Sequence, residues 1–271
     1  MNLKNELHFI HANGFPPDSY RRLLTSISSK FNIINFKLRP LLKNKKHTVK
    51  DIKNWIPLYE DFIKSIENSN KIIGLGHSIG GNIILRAGIS HPQYFSKIIL
   101  LDPTLFVPRI IWMWRLALFL RLHNYLHPWV RATLKRKMNY NSYQSIFKSY
   151  RQKNVFNKIN DENLSLYIQS ITASSNDGIH ITYPKEWEYQ IYKTGLIADS
   201  YIWKNIKHLN IPALIIRSKD SNAFVESSAN KIKNLKKNNI KIITLDDCTH
   251  LFPLEIPTIV SKEILNYLSE D

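Results

Sequence analysis

Ile72-Ile73-Gly74-Leu75-Gly76-His77-Ser78-Ile79-Gly80-Gly81-Asn82 holds four of the eight glycines in a chain of 271 residues. Glycine gathers where side chains would collide or where φ must be positive. An apolar, strand-like run precedes this cluster, and a helical pattern over residues 81–90 follows it. Gly76-x-Ser78-x-Gly80 therefore reads as a sharp strand-to-helix bend with a serine at its apex. Small residues two positions either side let the two elements approach. The serine backbone is strained, its hydroxyl stands clear of the strand ends, and the Ile79 N–H faces the same space. A chance match is the competing explanation, and the strand-before, helix-after context argues against it.

Outward from that bend the chain alternates. Strand-like runs cover residues 7–10, 31–36, 71–75, 97–101, 213–217 and 240–245, each closed by turn or loop residues. Helical periodicity covers 19–29, 49–67, 81–90, 223–237 and 257–268. Strand, helix, strand in alternation predicts crossover connections and a mostly parallel sheet of about six strands flanked by helices. Runs such as Lys97-Ile98-Ile99-Leu100-Leu101 suit strands buried on both faces.

From about Pro103 to Leu209 the alternation stops, and patterns rich in Trp, Tyr, Phe, Arg and Lys take over. The expected organisation is a core of residues 1–102 and 209–271, with a helical lid over 103–208 inserted after the strand that ends at Asp102. Residues 110–122 are apolar nearly all round, with arginines at intervals. That pattern fits a lid helix lining an apolar acyl pocket and making transient contact with lipid.

A serine hydroxyl is a weak nucleophile until a base takes its proton and a carboxylate holds that base in the right tautomer. Among the late histidines His180, His208 and His250, the last lies between the final strand and the final helix, where a base reaches the carboxyl end of a sheet. Asp220, just after the strand-like run 211–219, is the preferred acid. Asp102 also ends an apolar strand and stands second, while Asp246 and Asp247 are too close to His250 in sequence. The loop His11-Ala12-Asn13-Gly14-Phe15-Pro16-Pro17 offers a further backbone donor, with Asn13 favoured over the alternatives Gly14 and Phe15, and His11 bracing the loop.

These residues together resemble the α/β-hydrolase superfamily, in particular its lid-bearing esterase-like, lipase-like and thioesterase-like members. The resemblance covers residues 7 to about 102 and 211 to the C-terminus. It implies an α/β-hydrolase fold with Ser78 as nucleophile, Asp220 as acid, His250 as base, and Asn13 and Ile79 as oxyanion-hole N–H donors. The implied function is a serine hydrolase that cleaves a carboxylic ester with an apolar acyl group through an acyl-enzyme, without cofactor or metal. Thioester, amide or C–C bond cleavage by the same triad is the alternative, and an inactive binding protein of the same fold is the rival outside catalysis. Two features depart from the pattern. The first expected strand begins near residue 7, so the usual N-terminal antiparallel hairpin is not expected, and the oxyanion loop reads His-Ala-Asn-Gly. A serine at the bend also argues against chemistry that needs a carboxylate nucleophile.

The balance of 38 Lys and Arg against 21 Asp and Glu gives a formal charge of +17. Lysines such as Lys231, Lys233, Lys236 and Lys237 read as ordinary solvated faces, and no nucleic-acid-binding motif accompanies them. The expected partner is a small ester-like molecule rather than nucleic acid. The lone Cys248 excludes an internal disulfide and reads as a half-buried structural thiol. The polar N-terminal stretch Lys4-Asn5-Glu6 and the arginines within 105–122 argue for a cytoplasmic protein without signal peptide or spanning helix.

Overall fold

The computed structural model describes residues 5–42 and 47–270. The first four residues, part of the N-terminal reading, lie outside that range. The six expected strands form one sheet. They are β1 (Glu6–Ile10), β2 (Asn32–Phe36), β3 (Ile72–His77), β4 (Phe95–Leu101), and, beyond the insert, β8 (Ala213–Ser218) and β9 (Ile240–Leu245). The order is β2-β1-β3-β4-β8-β9, and every neighbouring pair is parallel. β3 and β8 are buried at every residue, whereas the edge strands β2 and β9 contain only partly buried and exposed residues. Central strands of a doubly covered sheet must be apolar on both faces, and edges need not be.

Because side chains alternate across a strand, each strand feeds two cores. Leu7, Phe9, Leu75, Ile99, Leu214 and Ile216 pack on the side of α1 (Arg21–Ser28). Ile10, Ile98, Leu100, Ala213 and Ile215 pack on the opposite side, against α2 (Ile56–Ile66) and α3 (Ile79–Ser90). The chain runs from β1 outward to β2, then returns to lay β3 on the other side of β1. The carboxyl ends of β1 and β3 thus flank a topological switch point, where a crevice opens.

Residues 103–208 join β4 to β8, as the broken alternation implies. They are not wholly helical. α4 (Pro108–Phe119), α5 (His123–Leu126), α6 (Pro128–Leu134), α7 (Tyr143–Arg151), α8 (Asp161–Ile171), α9 (Lys185–Gly195) and α10 (Asp199–Asn205) accompany a small antiparallel sheet. Its strands are β5 (Asn139–Tyr140), β6 (Thr172–Ser175) and β7 (Gly178–Ile181), in the order β5-β7-β6. The strands are two to four residues long, too short for a period to show in sequence. Asp199 holds the insert on the core: it accepts from Asn82 of α3 at 2.5 Å and from the Phe106 N–H at 2.7 Å. α11 (Glu226–Lys233), α12 (Phe252–Glu255) and α13 (Pro257–Ser269) complete the chain. Among the described residues no helix is long and apolar enough to cross a membrane.

Candidate active site

Ser78 sits between the end of β3 and the start of α3 with φ 58° and ψ −117°. A non-glycine residue in that region costs on the order of 1–3 kcal/mol, so its surroundings must enforce it. The flanking glycines show how. A Cβ on Gly76 would stand 2.4 Å from the Gly80 carbonyl, and one on Gly80 would stand 2.1 Å from the Ile10 carbonyl oxygen. Strand, bend and helix touch backbone to backbone, which no larger residue permits. The Ser78 N–H donates to Leu101 O at 3.0 Å, and its carbonyl accepts from the Thr104 N–H at 3.0 Å and the Asn82 N–H at 3.1 Å. Its Oγ lies 3.2 Å from Thr104 Oγ1.

His250 arrives from the loop after β9, as the order of elements predicts. Its carboxylate is Asp102, not Asp220. His250 Nδ1 stands 2.6 Å from Asp102 Oδ2, and Asp102 is fully buried at the carboxyl end of β4. The same oxygen accepts from Ser221 Oγ at 2.6 Å. Asp220 is exposed, and its N–H is held by Ser218 Oγ at 3.2 Å. The turn after β8 thus points Ser221 inward and Asp220 outward. β4 lies between β3 and β8, so its end reaches the site directly, and φ 42° at Asp102 aims the side chain there. With a carboxylate facing Nδ1, that nitrogen carries the proton and Nε2 is left as a hydrogen-bond acceptor.

His77, inside the glycine cluster, forms a brace that the sequence reading missed. Its Nε2 lies 2.9 Å from the His250 carbonyl oxygen, and its Nδ1 lies 2.7 Å from Tyr20 Oη, which accepts from the Ala12 N–H at 3.3 Å. A carbonyl requires an Nε2–H donor, so Nδ1 accepts from the tyrosine. Burial, then the neighbouring His250, pushes the His77 pKa well below its ordinary value, consistent with this neutral tautomer. One ring thereby ties together the early loop, the serine bend and the His250 loop. Only its place beside Ser78 signals it in sequence. His11, expected to brace the first loop, does so, with Nδ1 2.8 Å from Ala12 O and Nε2 accepting from the Leu38 N–H at 3.2 Å. Cys248 is buried, as a structural thiol would be, and burial pushes its pKa up to about 11.

Ser78 and His250 line one cavity of about 780 Å³, together with Asn13, Ile79 and Thr104. As the first residue of α3, Ile79 has no intrahelical acceptor for its N–H. The Asn13 side chain is committed elsewhere: it donates to Glu188 O at 3.0 Å and accepts from Tyr183 Oη at 3.1 Å. Gly14 follows with φ 78°, packed beneath the Glu188 carboxylate. Helix α9 of the insert thus fixes the early loop. The outer walls of the cavity are aromatic, from Trp55, Phe106, Trp114, Trp129, Tyr167 and Tyr192. A partly buried Arg136 paired with the buried Glu188, and Lys153, interrupt them, and burial, then the Arg136 charge, lowers the Lys153 pKa to about 8. No group of three His, Cys, Asp or Glu that could hold a metal occurs among the described residues.

A family model described as serine aminopeptidase, S33, matches residues 38–257. The chain belongs to the serine aminopeptidase S33 family of α/β-hydrolases. Membership in this S33 family makes it an enzyme, and its class a hydrolase. It is 24% identical over 261 residues to the uncharacterized hydrolase YugF of Bacillus subtilis (strain 168), a match covering 92% of this chain and 85% of that one. Solved structures share the fold. E-2-(acetamidomethylene)succinate hydrolase superposes with a TM-score of 0.78 at 16% identity, covering 98% of this chain and 91% of its own. The thioesterase domain from the curacin biosynthetic pathway gives 0.72 at 13% identity, covering 97% and 91%.

Proposed function

We propose that this S33-family hydrolase cleaves a carboxylic ester with a largely apolar acyl group through an acyl-enzyme. The observation that carries the reading is the hydrogen bond between His250 and the buried Asp102, with His250 and Ser78 lining one cavity. His250 Nε2 takes the Ser78 proton as Oγ attacks the ester carbon. The Ile79 and Asn13 N–H groups receive the charge developing on the carbonyl oxygen. The protonated ring, stabilised by Asp102, gives its proton to the departing alkoxide, and the acyl group stays on Ser78. Water then gives up a proton to the same histidine as it attacks the acyl carbon, the carbon–Oγ bond breaks, and the histidine returns the proton to Ser78 as the acid leaves. The insert acts as the lid, and its aromatic walls supply the acyl pocket. Thioester and amide carbonyls fit the same steps, and a substrate panel ranks them.

The test combines labelling and turnover. A fluorophosphonate probe is expected to modify Ser78, with no labelling of Ser78→Ala. Turnover of p-nitrophenyl esters is expected to rise from acetate to medium chains. Labelling of Ser78→Ala at the wild-type level removes the serine from its role, and a flat chain-length profile removes the acyl pocket.

A further inference from the structure

The positive charge is not spread evenly. Residues 103–160 contain eleven Lys and Arg and no Asp or Glu, although the chain as a whole has 21 acidic residues. The apolar surface concentrates in the same segment. Nine of the thirteen exposed large hydrophobic side chains among the described residues lie between 112 and 134. Trp112 is 65% exposed, Phe119 82%, Tyr125 77% and Leu126 61%. Arg109, Arg115, Arg121, Arg131, Lys135 and Lys137 stand exposed among them. Helix α4, with Leu120 just past its end, has two working faces. Ile111, Trp114 and Ala117 turn inward, and Trp114 and Ala117 line the catalytic cavity, while Trp112, Leu116, Phe119 and Leu120 turn to solvent.

Solvated lysines on ordinary surfaces do not require tryptophan, phenylalanine and leucine between them. Large exposed apolar patches mark interaction sites. A bilayer surface suits this one, because aromatic and aliphatic side chains enter the acyl boundary while arginines meet lipid phosphates. A second copy of this chain would oppose cation to cation across the patch.

We infer that the outer face of residues 108–137 docks on the surface of an anionic phospholipid bilayer. The catalytic cavity then lies directly behind the docked helix, beside the apolar phase in which long-chain esters dissolve. This goes beyond the catalytic reading and does not depend on it, since docking requires no turnover.

The experiment is co-sedimentation of the full chain with phosphatidylcholine vesicles, with and without phosphatidylglycerol. The wild type and Ser78→Ala are both expected to sediment with the anionic vesicles, at least about tenfold more tightly than with neutral ones, and to be released by high salt. Phe119→Ser/Leu120→Ser and Arg115→Glu/Arg121→Glu are each expected to weaken binding by about tenfold or more. All four residues are exposed and none lines the cavity, so thermal melts and soluble-ester turnover are expected to stay at wild-type values. A wild type that remains in solution with both vesicle types overturns the inference. So does light scattering showing a dimer that Phe119→Ser/Leu120→Ser dissolves without any vesicle binding. Salt-sensitive retention on duplex DNA with no vesicle binding overturns it as well.

Discussion

Asp102 and Asp220 both follow buried strands, yet only one of them touches an imidazole. The contrast is a matter of two residues. Asp102 comes directly after β4, with its amide hydrogen-bonded to Ile216 O at 2.7 Å, so the sheet fixes its direction. Asp220 comes two residues after β8, on a turn whose inward position belongs to Ser221. Asp102→Asn is expected to lower kcat by roughly a thousandfold or more, because the amide no longer enforces the productive tautomer of His250. Asp220→Asn is expected to stay within about twofold of wild type, since the side chain is exposed. Steady-state hydrolysis of a p-nitrophenyl ester measures both, and the reverse ranking would return the acid role to Asp220. The sequence favours Asp220 only because a loop follows its late strand, and that position says nothing of which carboxylate reaches His250. A hydrogen bond between residues 148 positions apart has no local signature.

At the level of elements, the bend depends on how closely β1, β3 and α3 approach. Gly80→Ala would force a methyl to within 2.1 Å of the Ile10 carbonyl oxygen, a backbone atom that cannot swing aside. The expected cost is about 3 kcal/mol or more of stability, with loss of turnover. Gly88→Ala, in the same helix, meets the ends of the Ile211 and Ile98 side chains at 2.9 and 3.2 Å. Those ends adjust, and alanine is the better helix former, so a change within about 1 kcal/mol is expected. Urea unfolding of the two variants separates them, and equal midpoints would show that the spacing of the bend is not tight.

Across the whole molecule, acid is expected to loosen the fold before carboxylates titrate. Burial lowers the pKa of His11 to about 4 and that of His77 well below ordinary. In the unfolded chain both titrate near about 6.5. Between those values the unfolded state binds more protons, so stability rises with pH and is lost as pH falls below about 6.5. Each such histidine contributes up to about 1.4 kcal/mol per pH unit within that window. Thermal melts from neutral pH to pH 5 are expected to show a falling midpoint, and a flat profile would place these histidines in contact with water.

The positions of the six strands along the chain, the glycine-flanked serine and the late histidine were legible because each is local. Alternation, burial on both faces and a two-residue glycine spacing are written along the chain. Convergence, by contrast, came from three-dimensional packing: which aspartate meets His250, how His77 joins three loops, and that the insert carries a small sheet and one cationic, apolar outer face. Those follow from which strand ends lie side by side and which side of a helix meets solvent. Distances between remote residues set both, and no stretch of sequence encodes them by itself.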